Sequence, residues 1–321
     1  MAEARNRRGT PAMSEDRAKL HAGYLRDLEA RSVTPKTILT YGSATKLFLE
    51  WLDQIPPERV DLAELKDFKD YLERVRKISP KSIMRYYSAL QSFYDYLHFE
   101  GKVKANPVPT YRRRYLKPVR REAMKDRSGL RQVPDIETTK RYVHSIMDVR
   151  DQALVVLLLK CGIRREEAVD IDLEDIDWRE FSILLKPKAK RTNTLVYFDD
   201  ETARVLRRWL SIRKARGAGD SGPLFINQSR ERLQRSGIYN GVRNSAAEAG
   251  IHDPKGGLRA KFTPHACRHW FTTHLRRAGM PREHIQWLRG DAPQAAMDIY
   301  IQVDKNAVRE TYRNCIPQLG L

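Results

Sequence analysis

The chain has 321 residues, 41% apolar and 31% charged, enough for two cores of ordinary size. Its longest apolar run, ALVVLLL at 153–159, falls far short of the roughly twenty residues that span a bilayer, so it reads as a buried core helix. Sixty Lys and Arg against 41 Asp and Glu leave a net charge of +19, which favours a polyanionic partner. Nucleic acid fits better than a membrane surface, because the basic residues are not gathered on one amphipathic helix.

Residues 1–13 read as a disordered basic arm with no apolar signal-peptide core. Cys161, Cys267 and Cys315 lie too far apart for a disulfide framework or a zinc-type pair, so the cytoplasm is the expected setting. From Ser14 to about Leu97 helical periodicity dominates, with helices expected near 15–31, 34–52, 61–76 and 79–97. A repeat lies inside this stretch. TPKTILTYGSATKLFLEWL (34–52) and SPKSIMRYYSALQSFYDYL (79–97) share Thr/Ser, Pro, Lys, Thr/Ser and Ile, then Tyr, Ser and Ala, and finally Phe48/Phe93 and Leu52/Leu97. Thr34 and Ser79 suit the N-cap, Pro35 and Pro80 the first helical position. Lys36 and Lys81 fall in the first turn, where the helix dipole prefers an anion by ~0.3–1 kcal/mol. A docked phosphate at each helix start removes that misfit; two capped helices with solvated lysines are the plain alternative.

ANPVPTYRRRYLKPVRREAMKDR (105–127) interrupts the helices with prolines and a run of basic residues including Arg112, Arg113 and Arg114. It reads as a basic linker able to track a DNA backbone. Helices are expected next near 136–147, 150–160 (ending at Gly162) and 164–170. FSILL (181–185) and TLVYF (194–198) form a hairpin across the lysine-rich turn KPKAKRTN. Further helices are expected near 200–215, 231–249, 264–278, 281–288, 293–300 and 304–314. GAGDSG (217–222) matches a dinucleotide-type glycine pattern but follows a helix and precedes PLFI, the reverse of the required order, so it is a loop.

TPHACRHW places His265 and Arg268 on one helical face, with His269 four residues after His265. The paired histidines lack the glutamate and ligand cluster of a metal site, so no metal is expected. An Arg beside a His suits a phosphate: the guanidinium forks onto its oxygens while the imidazole moves a proton or donates a hydrogen bond. In CGIRREE, Gly162 ends the buried helix and Arg164 sits at the tight turn behind it.

This ordered set resembles the tyrosine recombinase/integrase family, of the two-domain Xer type: C-G-I-R-x-x-E, a hairpin with a basic turn, H-x-x-R-H, L-x-G, and a tyrosine nine residues on. The resemblance implies a mainly α chain. Residues 14–107 become a helical core-binding (SAM-like) domain and 108–134 a basic interdomain linker. Residues 135–321 become a mixed α/β, mostly helical catalytic domain with a small antiparallel sheet and a C-terminal tail. Arg164, His265 and Arg268 match the family's catalytic positions, Glu167 its acid, and Tyr300 its nucleophile. For the hairpin lysine, spacing from Asp175 favours Lys188, and counting back from LVYF leaves Lys188 or Lys190, with Lys186 more remote. Asp291 departs from the family, which usually has His or Trp there. A carboxylate cannot donate to phosphate, but it can orient His265 or an arginine. LRGD is similar to a variant of archaeal members.

The family implies cleavage and rejoining of double-stranded DNA at a core recombination site through a 3′-phosphotyrosyl link, without cofactor, ATP or metal. It also implies two domains closing on the duplex and a homotetramer on two duplexes, the tail after Val303 packing in trans or in cis. Lys36, Lys81, Arg112–Arg114, Arg232, Arg235 and Arg243 are the expected DNA contacts, from charge and position. A type IB topoisomerase shares the chemistry, and a catalytically weak DNA-binding protein of the same fold is the alternative of a different class.

Overall fold

A computed structural model describes residues 13–116, 133–188, 191–291 and 303–321. It divides into two compact units, Met1–Arg127 and Ser128–Leu321.

In the first unit α1 (Glu15–Ala30), α2 (Pro35–Leu52), α3 (Leu62–Asp70) and α4 (Pro80–Phe99) enclose an aromatic core. Phe48, Phe68, Tyr87, Phe93 and Tyr94 are fully buried there, with Phe48 and Phe68 edge to face at 4.9 Å. The two repeats are α2 and α4, which pack on each other, so one apolar stripe written twice forms both sides of a single core. Asp61 and Glu64 close a reciprocal capping box on α3. Thr34 and Ser79 do not cap with their side chains as expected. Their hydroxyls meet Thr37 Oγ1 (2.9 Å) and Ser82 Oγ (3.1 Å) instead.

The expected linker gives way over its first nine residues. Val108–Tyr111, here α5, continues helically through Arg112–Leu116. Val108, Tyr111 and Leu116 are buried in the first core, and Tyr87 and Tyr111 stack at 5.1 Å. Prolines 107 and 109 misled because they lie at the start of the helix, where a missing N–H costs nothing. The arm at 1–12, the linker at 117–132, Lys190 and the expected helix 293–300 with Tyr300 lie outside the described residues.

The second unit is built on α7 (Val149–Cys161), in which every residue from Gln152 to Cys161 is buried. Around it pack α6 (Ile136–Ser145), α9 (Asp200–Ala215), α10 (Arg235–Glu248) and α11 (Pro264–Arg277). Aspartates cap four helices of this unit, Asp135 on α6, Asp148 on α7, Asp199 on α9 and Asp304 on α13 (Lys305–Cys315). Among the described residues the unit also has the short α8 (Arg165–Asp170) and α12 (Arg282–Arg289). The expected hairpin is present as β2 (Ser182–Leu184) and β3 (Leu195–Tyr197), antiparallel with Ile183 opposite Val196. A third strand, β1 (Ile176–Asp177), extends the sheet beside β2; two residues are too few to leave a periodicity. The helix expected from 231 starts only at Arg235. Leu233 bonds back to Phe225 O and buries its side chain, which holds Arg232 in an extended segment before the helix.

The C-terminal residues fold back in cis. Lys160, fully buried on α7, donates to Asp199 Oδ2 (2.6 Å), Glu201 Oε2 (2.7 Å) and Pro317 O (2.6 Å). Glu201 in turn accepts the backbone N–H groups of Leu319 (2.7 Å), Gly320 (2.5 Å) and Leu321 (3.1 Å). Leu319 fills the core beneath them. Among the described residues no helix is long and apolar enough to cross a membrane, and no group of three or more His, Cys, Asp or Glu could hold a metal ion.

Candidate active site

The site begins where α7 stops. Gly162 has φ +59, and a Cβ there would lie 2.3 Å from the Phe271 ring, so both backbone hand and packing demand glycine. The turn leaves Gly162 O facing Arg268 Nη1 at 2.6 Å and sets Arg164 two residues on. Glu167, at the third position of α8, reaches back to accept from Arg164 N (2.6 Å) and from Arg164 Nη1 (3.0 Å). Its carboxylate therefore fixes both the main chain and the side chain of Arg164.

Asp291 closes the cluster from the far end of the chain. Its Oδ1 accepts from Arg268 Nη2 (2.8 Å) and Arg164 Nη2 (3.1 Å). Its Oδ2 lies 2.9 Å from Arg289 Nε, an ion pair without hydrogen-bond alignment. Arg268 also donates to Arg289 O (2.9 Å) and is 5% exposed, whereas Arg164 is 36% exposed. Burial, then the Arg289 and Arg164 charges beside it, push the Arg268 pKa down to about 10, so it stays cationic at neutral pH. Two guanidiniums thus converge on one carboxylate oxygen, the arrangement that seats a phosphate oxygen. Of the two partners expected for Asp291, the arginines are the ones it meets.

His265 lies at the start of α11 on the exposed side, its Nε2 3.1 Å from His269 Nε2. One of those nitrogens must donate and the other accept, so this contact fixes their tautomers together. Lys188 donates to Glu166 O (3.0 Å) and pairs with Asp170, both on α8. Lys186 is held by Asp175 (2.7 Å) and Asp172 (3.4 Å) instead. The structure thus brings Arg164, Glu167, Arg268 and Asp291 together, with Arg191 and Arg289, which sequence reasoning missed. Arg191 looked like one more cation of a basic turn, and Arg289 like the variable residue of L-x-G.

The expected DNA contacts differ among themselves. Lys36, Lys81, Arg113 and Arg114 are exposed. Arg112 is held by Gln91 and by Ser88 at 3.1 Å, and Arg232 by Val169 O at 2.8 Å and Asp172 Oδ1 at 2.5 Å. Arg235 pairs with Glu166 at 2.7 Å, and Arg243 lies over the Tyr239 ring at 5.8 Å.

The second unit thus sets two guanidiniums side by side, a donor arrangement of the kind that holds a phosphate oxygen. Comparison with known proteins narrows this. The phage integrase family pattern matches residues 131–307, and that of the phage integrase N-terminal SAM-like domain matches 20–99. The chain belongs to the phage integrase family and is a tyrosine recombinase. The tyrosine recombinase XerC of Leptospira interrogans is 26% identical over 289 residues, covering 89% of each chain. The tyrosine recombinase XerD of Listeria monocytogenes is 25% identical over 302 residues, covering 90% of this chain and 95% of its own. A lambda integrase dimer bound to a COC′ core site shares the fold, with TM-score 0.67 at 16% identity over 90% of this chain and 98% of that one. The XerH recombinase bound to difH substrate does so with TM-score 0.62 at 18% identity, over 92% and 81%.

Proposed function

We propose that Tyr300 attacks a DNA phosphodiester seated on Arg164 and Arg268, and that the resulting 3′-phosphotyrosyl link is passed to a second strand. The protein is a site-specific DNA recombinase, and the observation that supports these roles is the convergence of two guanidiniums on one Asp291 oxygen. With Asp291 holding the two guanidiniums side by side, a phosphate oxygen meets their remaining N–H groups already in place, which matters because charge grows on the non-bridging oxygens during attack. Losing one such donor commonly costs ~10²–10³ in rate. Tyrosine has an intrinsic pKa near ~10, so its attack needs a proton acceptor or cationic surroundings. His265 serves as that acceptor or as a phosphate ligand. Lys188, with Lys190 as the alternative, protonates the departing 5′ oxygen, and Glu167 and Asp291 hold the arginines. No cofactor is required, because the phosphotyrosyl link conserves the bond energy.

Double-stranded DNA carrying a core site is the partner. Lys36, Lys81, Arg113, Arg114 and Arg243 take phosphates, and Arg235 exchanges Glu166 for one. Residues 14–116 act as the core-binding domain and 135–321 as the catalytic domain, in the cytoplasm. A homotetramer on two duplexes is the working assembly, reached once the tail that packs in cis is released. Recombination is favoured over simple strand relaxation by the recombinases among the relatives. The test is to select a duplex from a randomised pool with the protein itself, nick it, and look for a covalent adduct. Tyr300→Phe is expected to bind this duplex and form none.

A further inference from the structure

We infer that Arg191 is a positioning residue for strand cleavage, locking the lysine-bearing hairpin turn to the arginine seat. The inference rests on the reading of Arg164 and Arg268 as phosphate ligands. Its own grounds are the contacts of one guanidinium. The Arg191 side chain is wholly buried, and its three acceptors lie on two separate parts of the site. Nη1 donates to Glu167 Oε2 (3.0 Å) and to Arg289 O (3.2 Å), and Nη2 donates to Leu288 O (2.7 Å). Glu167 is the carboxylate that holds Arg164, so Arg191 and Arg164 share one anchor. Leu288 O and Arg289 O are the last carbonyls of α12, where a buried cation also answers the helix dipole.

The two residues after Arg191 continue the clasp. Thr192 N donates to Gly290 O and Thr192 Oγ1 to Asp291 O, each at 3.2 Å. Asn193 Nδ2 donates to Trp287 O (3.0 Å). Gly290 has φ +58, and a Cβ there would meet Arg191 Cγ at 2.4 Å, so the close approach is built into the backbone. The segment Arg191–Asn193 therefore grips Trp287–Asp291 from end to end. One side of this grip continues into Lys188 and Lys190. The other carries Asp291 and leads, nine residues on, to Tyr300. Glu167, with the Arg164 that it holds, and the end of α12 thus rest on the same buried guanidinium. A surface role is ruled out by its burial, and a general packing role is a poor account of a cation whose two Nη groups reach Glu167, Leu288 O and Arg289 O, although its buried Nε has no partner among the described residues.

The test compares Arg191→Met, Arg191→Lys and Glu167→Gln, with the double variant Arg191→Met/Glu167→Gln. The probe is a nicked duplex carrying the sequence that the parent protein selects from a randomised pool. Adduct formation is followed in a single turnover, alongside duplex affinity and the melting midpoint. A displacement of about 1 Å commonly costs ~10² in rate. Arg191→Met should therefore slow cleavage by ~10² with duplex affinity changed by less than about threefold. Arg191→Lys should recover part of the rate, since one ammonium reaches Glu167 but cannot fork onto both carbonyls. The double variant should be no slower than the slower single variant. Cleavage by Arg191→Met within about threefold of the parent overturns the inference, as do equal rates for Met and Lys with affinity falling in parallel. If Arg191→Met does not fold, Arg191→Lys alone decides: its rate must fall at unchanged affinity. A parent protein that forms no adduct overturns the phosphate-ligand reading instead, which separates the two failures.

Discussion

Replacing Asp291 asks whether this acid, placed where the family usually has His or Trp, hinders the site or belongs to it. Its carboxylate receives Arg268 at 2.8 Å and Arg164 at 3.1 Å on one oxygen and faces Arg289 at 2.9 Å on the other. Each charge-assisted bond contributes ~1.5–3 kcal/mol. Two like charges that share one oxygen repel by roughly 3 kcal/mol at an effective dielectric of ~20. Asp291→Ala removes the bonds and leaves the repulsion, so the arginine heads should part by something on the order of 1 Å, a displacement that costs ~10² in rate. Asp291→Asn keeps an accepting oxygen without its charge and should lose only ~10-fold, an interpolation between the parent and the alanine variant. Asp291→His restores the usual residue, yet an imidazole cannot hold three guanidiniums, and cleavage should again fall. The assay is single-turnover adduct formation on the selected nicked duplex, with affinity measured in parallel. Duplex affinity should stay within about threefold, because the seat contributes one phosphate among many. Cleavage by Asp291→Ala or Asp291→His as fast as the parent's would refute this reasoning and make the acid a handicap.

Other expectations follow from the same geometry. Lys160→Met should cost ~3–5 kcal/mol in urea unfolding, because it leaves two buried carboxylates without a countercharge; a loss below about 1 kcal/mol would contradict the role given to Lys160. Burial alone would raise the pKa values of Asp199 and Glu201, but Lys160 leads the groups that hold both below the usual carboxylate range. Their contribution to stability is therefore present above pH ~4 and lost as pH falls through the depressed values, which urea titrations between pH 6 and pH 3 would show. With ~6–10 phosphate contacts, duplex affinity should fall ~10³–10⁵ between 50 and 200 mM salt, and a flat response would count against the proposed contacts. Sulfur in place of the bridging 5′ oxygen leaves without a proton, so it should rescue Lys188→Ala. Rescue of Lys190→Ala instead would move the role by two residues.

The elements were legible in the sequence where their signals were local. The paired helices at Pro35 and Pro80, the stop at Gly162 and the hairpin around a basic turn each rest on spacings of a few residues, whereas His265 and Arg268, read as one face, are exposed and buried respectively. The site's inner contacts do not. Arg164 and Asp291 lie 127 positions apart, Arg191 and Leu288 97 apart, and Lys160 and Glu201 41 apart. No periodicity links such pairs, and Arg191 and Arg289 read as ordinary cations of a strongly basic chain. Val108–Leu116 failed for another reason: the prolines that signal a loop also suit a helix start, and only the burial of Tyr111 and Leu116 decides between them.

In the proposed mechanism the bond to DNA is made by Tyr300. Trapping the covalent complex on the selected nicked duplex, digesting it and locating the nucleotide-bearing residue by mass spectrometry tests this directly. A single 3′-phosphate adduct is expected on Tyr300, absent from Tyr300→Phe although that variant still binds the duplex. An adduct on any other residue, or one that persists in Tyr300→Phe, would contradict it.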